Sequence, residues 1–133
     1  MKLAVVLATL VSALAFAAAG NAGAPPASTL RADVAEWSIV PSTGAVRSGE
    51  VRLVVHNYGA TIHQVTIART PSFGARLRLS GARAVARPLA RSIVVQPGRS
   101  AALVVSLKAG SYVLYDNLPW SYWKGTSVAF SVR

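Results

Sequence analysis

The chain has 133 residues and no cysteine, and it carries 14 Lys and Arg against 4 Asp and Glu, a formal charge of +10. Disulfides and thiolate metal ligation are therefore excluded, and the four acids show no paired-carboxylate spacing for general acid–base work. The size suits one domain with one core.

In chain order, the first stretch, MKLAVVLATLVSALAFAAAGNAGA, has one early charge, Lys2, then an apolar run from Leu3 to Ala19, then small residues. That is the layout of a secretory signal peptide over residues 1–24, with the cut between 19 and 24. The alternative is a retained anchor, since roughly 17 apolar residues come close to spanning a bilayer. Only in that case is a membrane partner expected. The exported domain then covers residues 25–132, and losing Lys2 leaves thirteen Lys and Arg against four acids. Arg outnumbers Lys in a sequence rich in Ala, Gly and Val, which base composition alone can produce. The functional alternative is attraction to an acidic protein or an anionic envelope surface. No nucleic-acid-binding motif is present, and no nucleic-acid partner is expected.

After a short linker, PPASTL at 25–30, the pattern is β throughout. Strands are expected near Asp33–Val40, Glu50–Asn57, His63–Ala68, Ser92–Val95, Ser100–Leu107, Ser111–Tyr115 and Ser127–Val132. Turn signals lie between most of them, at PSTG, RSG, NYGA, QPG and KAG. Alternation assigns faces. Leu53 and Val55 point one way, and Arg52 and His56 the other. His63, Val65 and Ile67 form one stripe, as do Ala101, Leu103, Val105 and Leu107, then Tyr112, Leu114 and Asp116, then Val128, Phe130 and Val132. About seven short strands of this kind predict an all-β Greek-key sandwich. The segment Arg69–Arg91 breaks the pattern with six arginines. Leu77 and Leu79 alternate as in an edge strand, while SGARAVARPLA reads as a loop or a short helical turn. It is expected either as a solvated surface or as a docking surface.

Two stretches carry a family resemblance: HNYGATIHQVTI at 56–67 and AGSYVLYDNLPWSYWKGTSVAFSV at 109–132. With Ser48–Gly49 and Gln96-Pro97-Gly98, they resemble the cupredoxins, the small blue-copper β-sandwiches, over nearly the whole exported domain. In that family a loop of the form Cys-Asn-x-Pro-Gly-His-x-x-x-Gly-Met joins the last two strands. Here the frame reads Asp116-Asn117-Leu118-Pro119-Trp120-Ser121-Tyr122-Trp123-Lys124-Gly125-Thr126. Asn117, Pro119 and Gly125 match. A blue-copper centre needs two His, a Cys thiolate and usually a weak axial Met. Transferred residue by residue, only His63 survives. Asp116 stands at the Cys position, Ser121 at the second His and Thr126 at the Met.

Three readings of this position stay open at sequence level. His63 and Asp116 can form a structural pair. They can be two ligands of Cu(II) or a similar ion, with no cofactor as the simpler expectation. They can also line a pocket for a small ligand or polymer. The resemblance implies that partners dock at this end, which makes Trp120, Tyr122, Trp123 and Lys124 the candidate partner-binding residues; the alternative is that the aromatics plug the sandwich. A Ser121–His63–Asp116 hydrolase set lacks a nucleophile elbow and an oxyanion loop, and no enzyme activity is expected. The sequence-level expectation is an exported, non-catalytic binding or accessory module of the cell envelope, periplasmic or secreted, with a metal-handling protein as the alternative.

Overall fold

Period-two alternation of apolar residues folds into two stacked sheets in the computed structural model, which describes residues 28–133. The leader expected at 1–24 lies outside the described residues. Eleven strands are present among them: β1 Ser28–Ala35, β2 Ser38–Pro41, β3 Ala45–Val46, β4 Gly49–Asn57, β5 His63–Thr70, β6 Arg78–Ser80, β7 Arg83–Val85, β8 Ile93–Val95, β9 Ser100–Leu107, β10 Gly110–Asp116 and β11 Ser127–Val132. One sheet has the order β2-β1-β4-β9 and the other β3-β11-β10-β5-β8. The pairs β1–β4 and β3–β11 are parallel, and the remaining pairs are antiparallel. This is the Greek-key β-sandwich that the alternation predicts. The stripes of Leu53 and Val55, Val65 and Ile67, Tyr112 and Leu114, and Phe130 and Val132 meet in one core between the sheets. Strand β9 is an edge of its sheet, with β4 on one side and no strand on the other among the described residues.

Three expectations need correction. The single strand expected over Asp33–Val40 is a hairpin, β1 and β2, with Ala35 opposite Ser38 and a turn at Glu36–Trp37. No Gly, Pro or Asn marks that turn. It is instead held from outside, because the Glu36 carboxylate accepts hydrogen bonds from the Ala60 and Thr61 amides. Half of the linker expected at 25–30 is strand, since Ser28–Leu30 belong to β1 and Leu30 lies in the core; residues 25–27 lie outside the described residues.

The third correction concerns Arg69–Arg91. Leu79 does lie in a strand, β6, but it pairs with β7 in a small separate hairpin that turns at Gly81, whose φ of 58° suits glycine; no helical turn forms in SGARAVARPLA, and its end, residues 86–90, is irregular apart from a bridge at Pro88. It lies over the outer face of β5 and β10 and makes a second apolar cluster from Ala68, Ala84, Val113 and Tyr115, edged by Leu77, Ala86 and Tyr122. This cover is why β10 is buried on both faces from Tyr112 to Asp116.

Candidate functional site

His63 opens β5 and Asp116 closes β10, and both face the inter-sheet core. In the β5–β10 ladder Asp116 stands opposite Val65, so His63 is its diagonal neighbour on the same face. The alternation thus brings the two side chains together, as expected. Nδ1 of His63 donates to Oδ2 of Asp116 at 2.6 Å. The other oxygen, Oδ1, accepts from the Gln64 amide at 3.2 Å and from the Leu118 amide at 2.9 Å. Asp116 is fully buried and His63 is 3% exposed. Both carboxylate oxygens are thus engaged, and the imidazole is pinned through Nδ1.

The opposite side of the ring holds a residue that sequence reasoning passed over. Oε1 of Glu36 lies 3.7 Å from Nε2 of His63, too far for a hydrogen bond. Glu36 comes from the β1–β2 turn. Its Oε1 accepts from the Ala60 amide at 2.9 Å and from the Thr61 amide and hydroxyl, each at 2.8 Å. Its carboxyl titrates at about 2, below the ordinary 4.5, because its own backbone N–H and then the Thr61 hydroxyl, the Thr61 amide and the Ala60 amide favour the ionised form. Gly59 makes room for it, since a Cβ there would sit 2.6 Å from Oε2. The nearby Asn57 clasps the same turn: its side chain donates to the Thr61 and Val95 carbonyls and accepts from the Gly59 amide.

Two buried polar atoms in this region make no hydrogen bond with the protein: Nε2 of His63 and Oγ1 of Thr126. Ser121 is also buried. A blue-copper centre does not fit these residues. The thiolate position holds a carboxylate whose oxygens are already taken by His63 and two amides, and the remaining positions hold two hydroxyls. Nor do His63, Glu36 and Asp116 converge on one point, because the two carboxylates face opposite ring nitrogens; among the described residues no three such groups form a metal cluster.

The loop after Asp116 separates its aromatics. Tyr122 turns inward, where its hydroxyl accepts from the Leu77 amide at 2.8 Å and its ring meets Tyr115 edge-on. Trp120 and Trp123 point outward, 52% and 64% exposed, and meet edge-to-face at 6.3 Å. Nζ of Lys124 lies 4.2 Å over the ring of Trp37, which is itself half exposed. Trp37 joins this surface unforeseen, because it was read as a mid-strand residue. Trp37 and Trp120 are the non-glycine residues with positive φ among the described ones, at 66° and 68°. The loop is tied to β6–β7 through the Trp120 amide on the Ala82 carbonyl and the Ala84 amide on Oδ1 of Asn117. Beside it, a surface pocket of about 370 Å³ is lined by Arg76, Leu77, Val113, Tyr122 and Trp123. None of the His63 group lines that pocket. Among the described residues no Lys or Arg pairs with a carboxylate; the close ionic contacts all involve His63.

No protein-family model matches the sequence, and no curated protein matches it. Solved structures do. Auracyanin from the photosynthetic bacterium Roseiflexus castenholzii aligns with a TM-score of 0.59 at 17% identity, over 80% of this chain and 97% of that one. Auracyanin B aligns at 0.61 with 15% identity, over 84% and 92%. Rusticyanin from Thiobacillus ferrooxidans aligns at 0.59 with 11% identity, over 82% and 79%. These are cupredoxins. The fold of this chain is therefore the cupredoxin β-sandwich, carried without a cysteine and hence without a blue-copper site.

Proposed function

We propose that this chain is a non-catalytic binding module of the cell envelope, exported by its leader. It docks an acidic protein or an anionic envelope surface through the end of the sandwich that carries Trp120, Trp123 and Lys124, with Trp37 beside them. One observation carries the reading: three exposed tryptophans gather around a lysine at one end of a domain whose described cations pair with no carboxylate. Exposed indoles bury much area at low entropic cost, and unpaired cations draw an anionic partner at long range. The pocket under Trp123 adds Arg76 to the same surface. Tyr122 supports it from beneath.

The test is binding to two defined probes, polyglutamate and vesicles containing anionic phospholipid, by wild type and by a Trp120→Ala, Trp123→Ala, Lys124→Ala variant. The variant is expected to bind at least tenfold more weakly to one probe, and wild-type binding to fall with salt. Equal binding by the two proteins would defeat the reading.

A further inference from the structure

We propose a divalent transition-metal site on the Nε2 side of His63, with Nε2 and the Glu36 carboxylate as its protein ligands and Asp116 as the outer carboxylate that orients the ring. Three observations point to it. First, Nδ1 donates to Asp116 at 2.6 Å, which places the neutral ring's lone pair on Nε2. A metal-ligating histidine typically has this form, one nitrogen on the ion and the other held by a carboxylate. Second, Nε2 is buried and has no hydrogen-bond partner in the protein. A buried ring nitrogen facing a carboxylate calls for something positive between them, a proton or a metal ion. Third, the carboxylate is there, 3.7 Å away and 32% exposed, so the site opens to water on its Glu36 side.

The spacing itself discriminates. At 3.7 Å the two atoms are too far apart to hydrogen bond. Oε1 accepts three hydrogen bonds from Ala60 and Thr61, which leaves Oε2 as the ligand atom for a cation. Gly59 leaves the space in which that carboxylate lies. One imidazole and one carboxylate suit a borderline ion such as Zn(II) or, more tightly, Cu(II), with water filling the other positions. Two protein ligands give modest affinity, as in a site that exchanges its ion. Asp116 is excluded as a direct ligand on this side, because it sits on the other nitrogen.

The experiment is a zinc titration of the 15N-labelled chain, read at the His63 ring nitrogens by NMR and by calorimetry. Zinc is expected to bind one to one, to move the Nε2 resonance and to leave the Nδ1 proton in place. Glu36→Gln should weaken binding at least tenfold, and Asp116→Asn by about tenfold without loss of the ligands. The site is refuted if Glu36→Gln binds as wild type does. Loss of the Nδ1 proton on binding, or no shift at either nitrogen at about 1 mM zinc, also refutes it. The nitrogen readout uses the wild-type chain, so an unstable variant does not decide the outcome. Zinc binding is measured without polyanion and polyanion binding without metal, so this proposal and the docking surface can each fail alone.

Discussion

At the scale of single residues, Trp120 shows how the ligand loop has been rebuilt. The resemblance assigns its position to glycine, and the backbone retains a glycine conformation, φ 68°, with an indole attached. A left-handed conformation costs an L-residue with a Cβ about 1 kcal/mol or more, and such strain persists where surrounding structure imposes it. Here the imposing contacts are the Trp120 amide on Ala82 and the Lys124 amide on the Trp120 carbonyl. Trp120→Gly and Trp120→Ala remove the same indole, but only the alanine keeps the strained Cβ. The glycine variant should therefore be more stable than the alanine variant by about 1 kcal/mol in urea unfolding. Equal stabilities would mean that the strain is relieved elsewhere.

At the scale of elements, two hairpins were not foreseen: β1–β2, which brings Glu36 to His63, and β6–β7, which covers the outer face of β5 and β10. The β1–β2 turn is held by Glu36 on the β4–β5 turn, so it should loosen with acid. The carboxyl's folded value, about 2, lies below its ordinary 4.5, so its stabilising effect is complete above that ordinary value and lost as pH falls through the folded one. Amide exchange at Ala60 and Thr61, corrected for intrinsic rates, should accelerate between about pH 4.5 and pH 2. Glu36→Gln should flatten that dependence. The β6–β7 hairpin is held partly by Tyr122, whose hydroxyl receives the Leu77 amide. Tyr122→Phe should cost about 1–2 kcal/mol in urea unfolding, because a half-buried N–H loses its acceptor. A variant as stable as wild type would show that water replaces the hydroxyl without loss.

The strands that line the main core were legible, because Leu53, Val65, Leu114 and Phe130 alternate with polar or small neighbours. So was the pairing of His63 with Asp116, since each ends its own apolar stripe. The Glu36–Trp37 turn was not legible, because neither residue favours a turn and its cause, the Ala60 and Thr61 amides, lies more than twenty positions away. Glu36 was missed beside His63 for the same reason. The β6–β7 hairpin hid among small residues and arginines, and its one buried position, Ala84, is too little to show a period.

At the scale of the whole molecule, charge dominates. Thirteen Lys and Arg from residue 28 onward meet four acids, and two of those acids, Glu36 and Asp116, are committed to the His63 group. With no carboxylate partners among the described residues, the cations repel one another across one small domain. Screening should relieve this, so the melting temperature should rise between low salt and about 0.5 M NaCl, where the Debye length is only a few ångströms. A flat or falling profile in calorimetry would show that the arginines are stabilised by contacts such as Arg69 over Tyr112.

The same repulsion bears on strand β9. Its eight residues, SAALVVSL, contain no charge and no proline, and its outer edge is unpaired among the described residues. Such an edge is a template for another strand, and it lacks the gatekeeping lysine or proline that usually blunts one. Like charge is then what holds such edges on separate copies apart. Salt that firms each molecule also removes the barrier between molecules, and a binding partner that neutralises the arginines would present these edges to one another at close range.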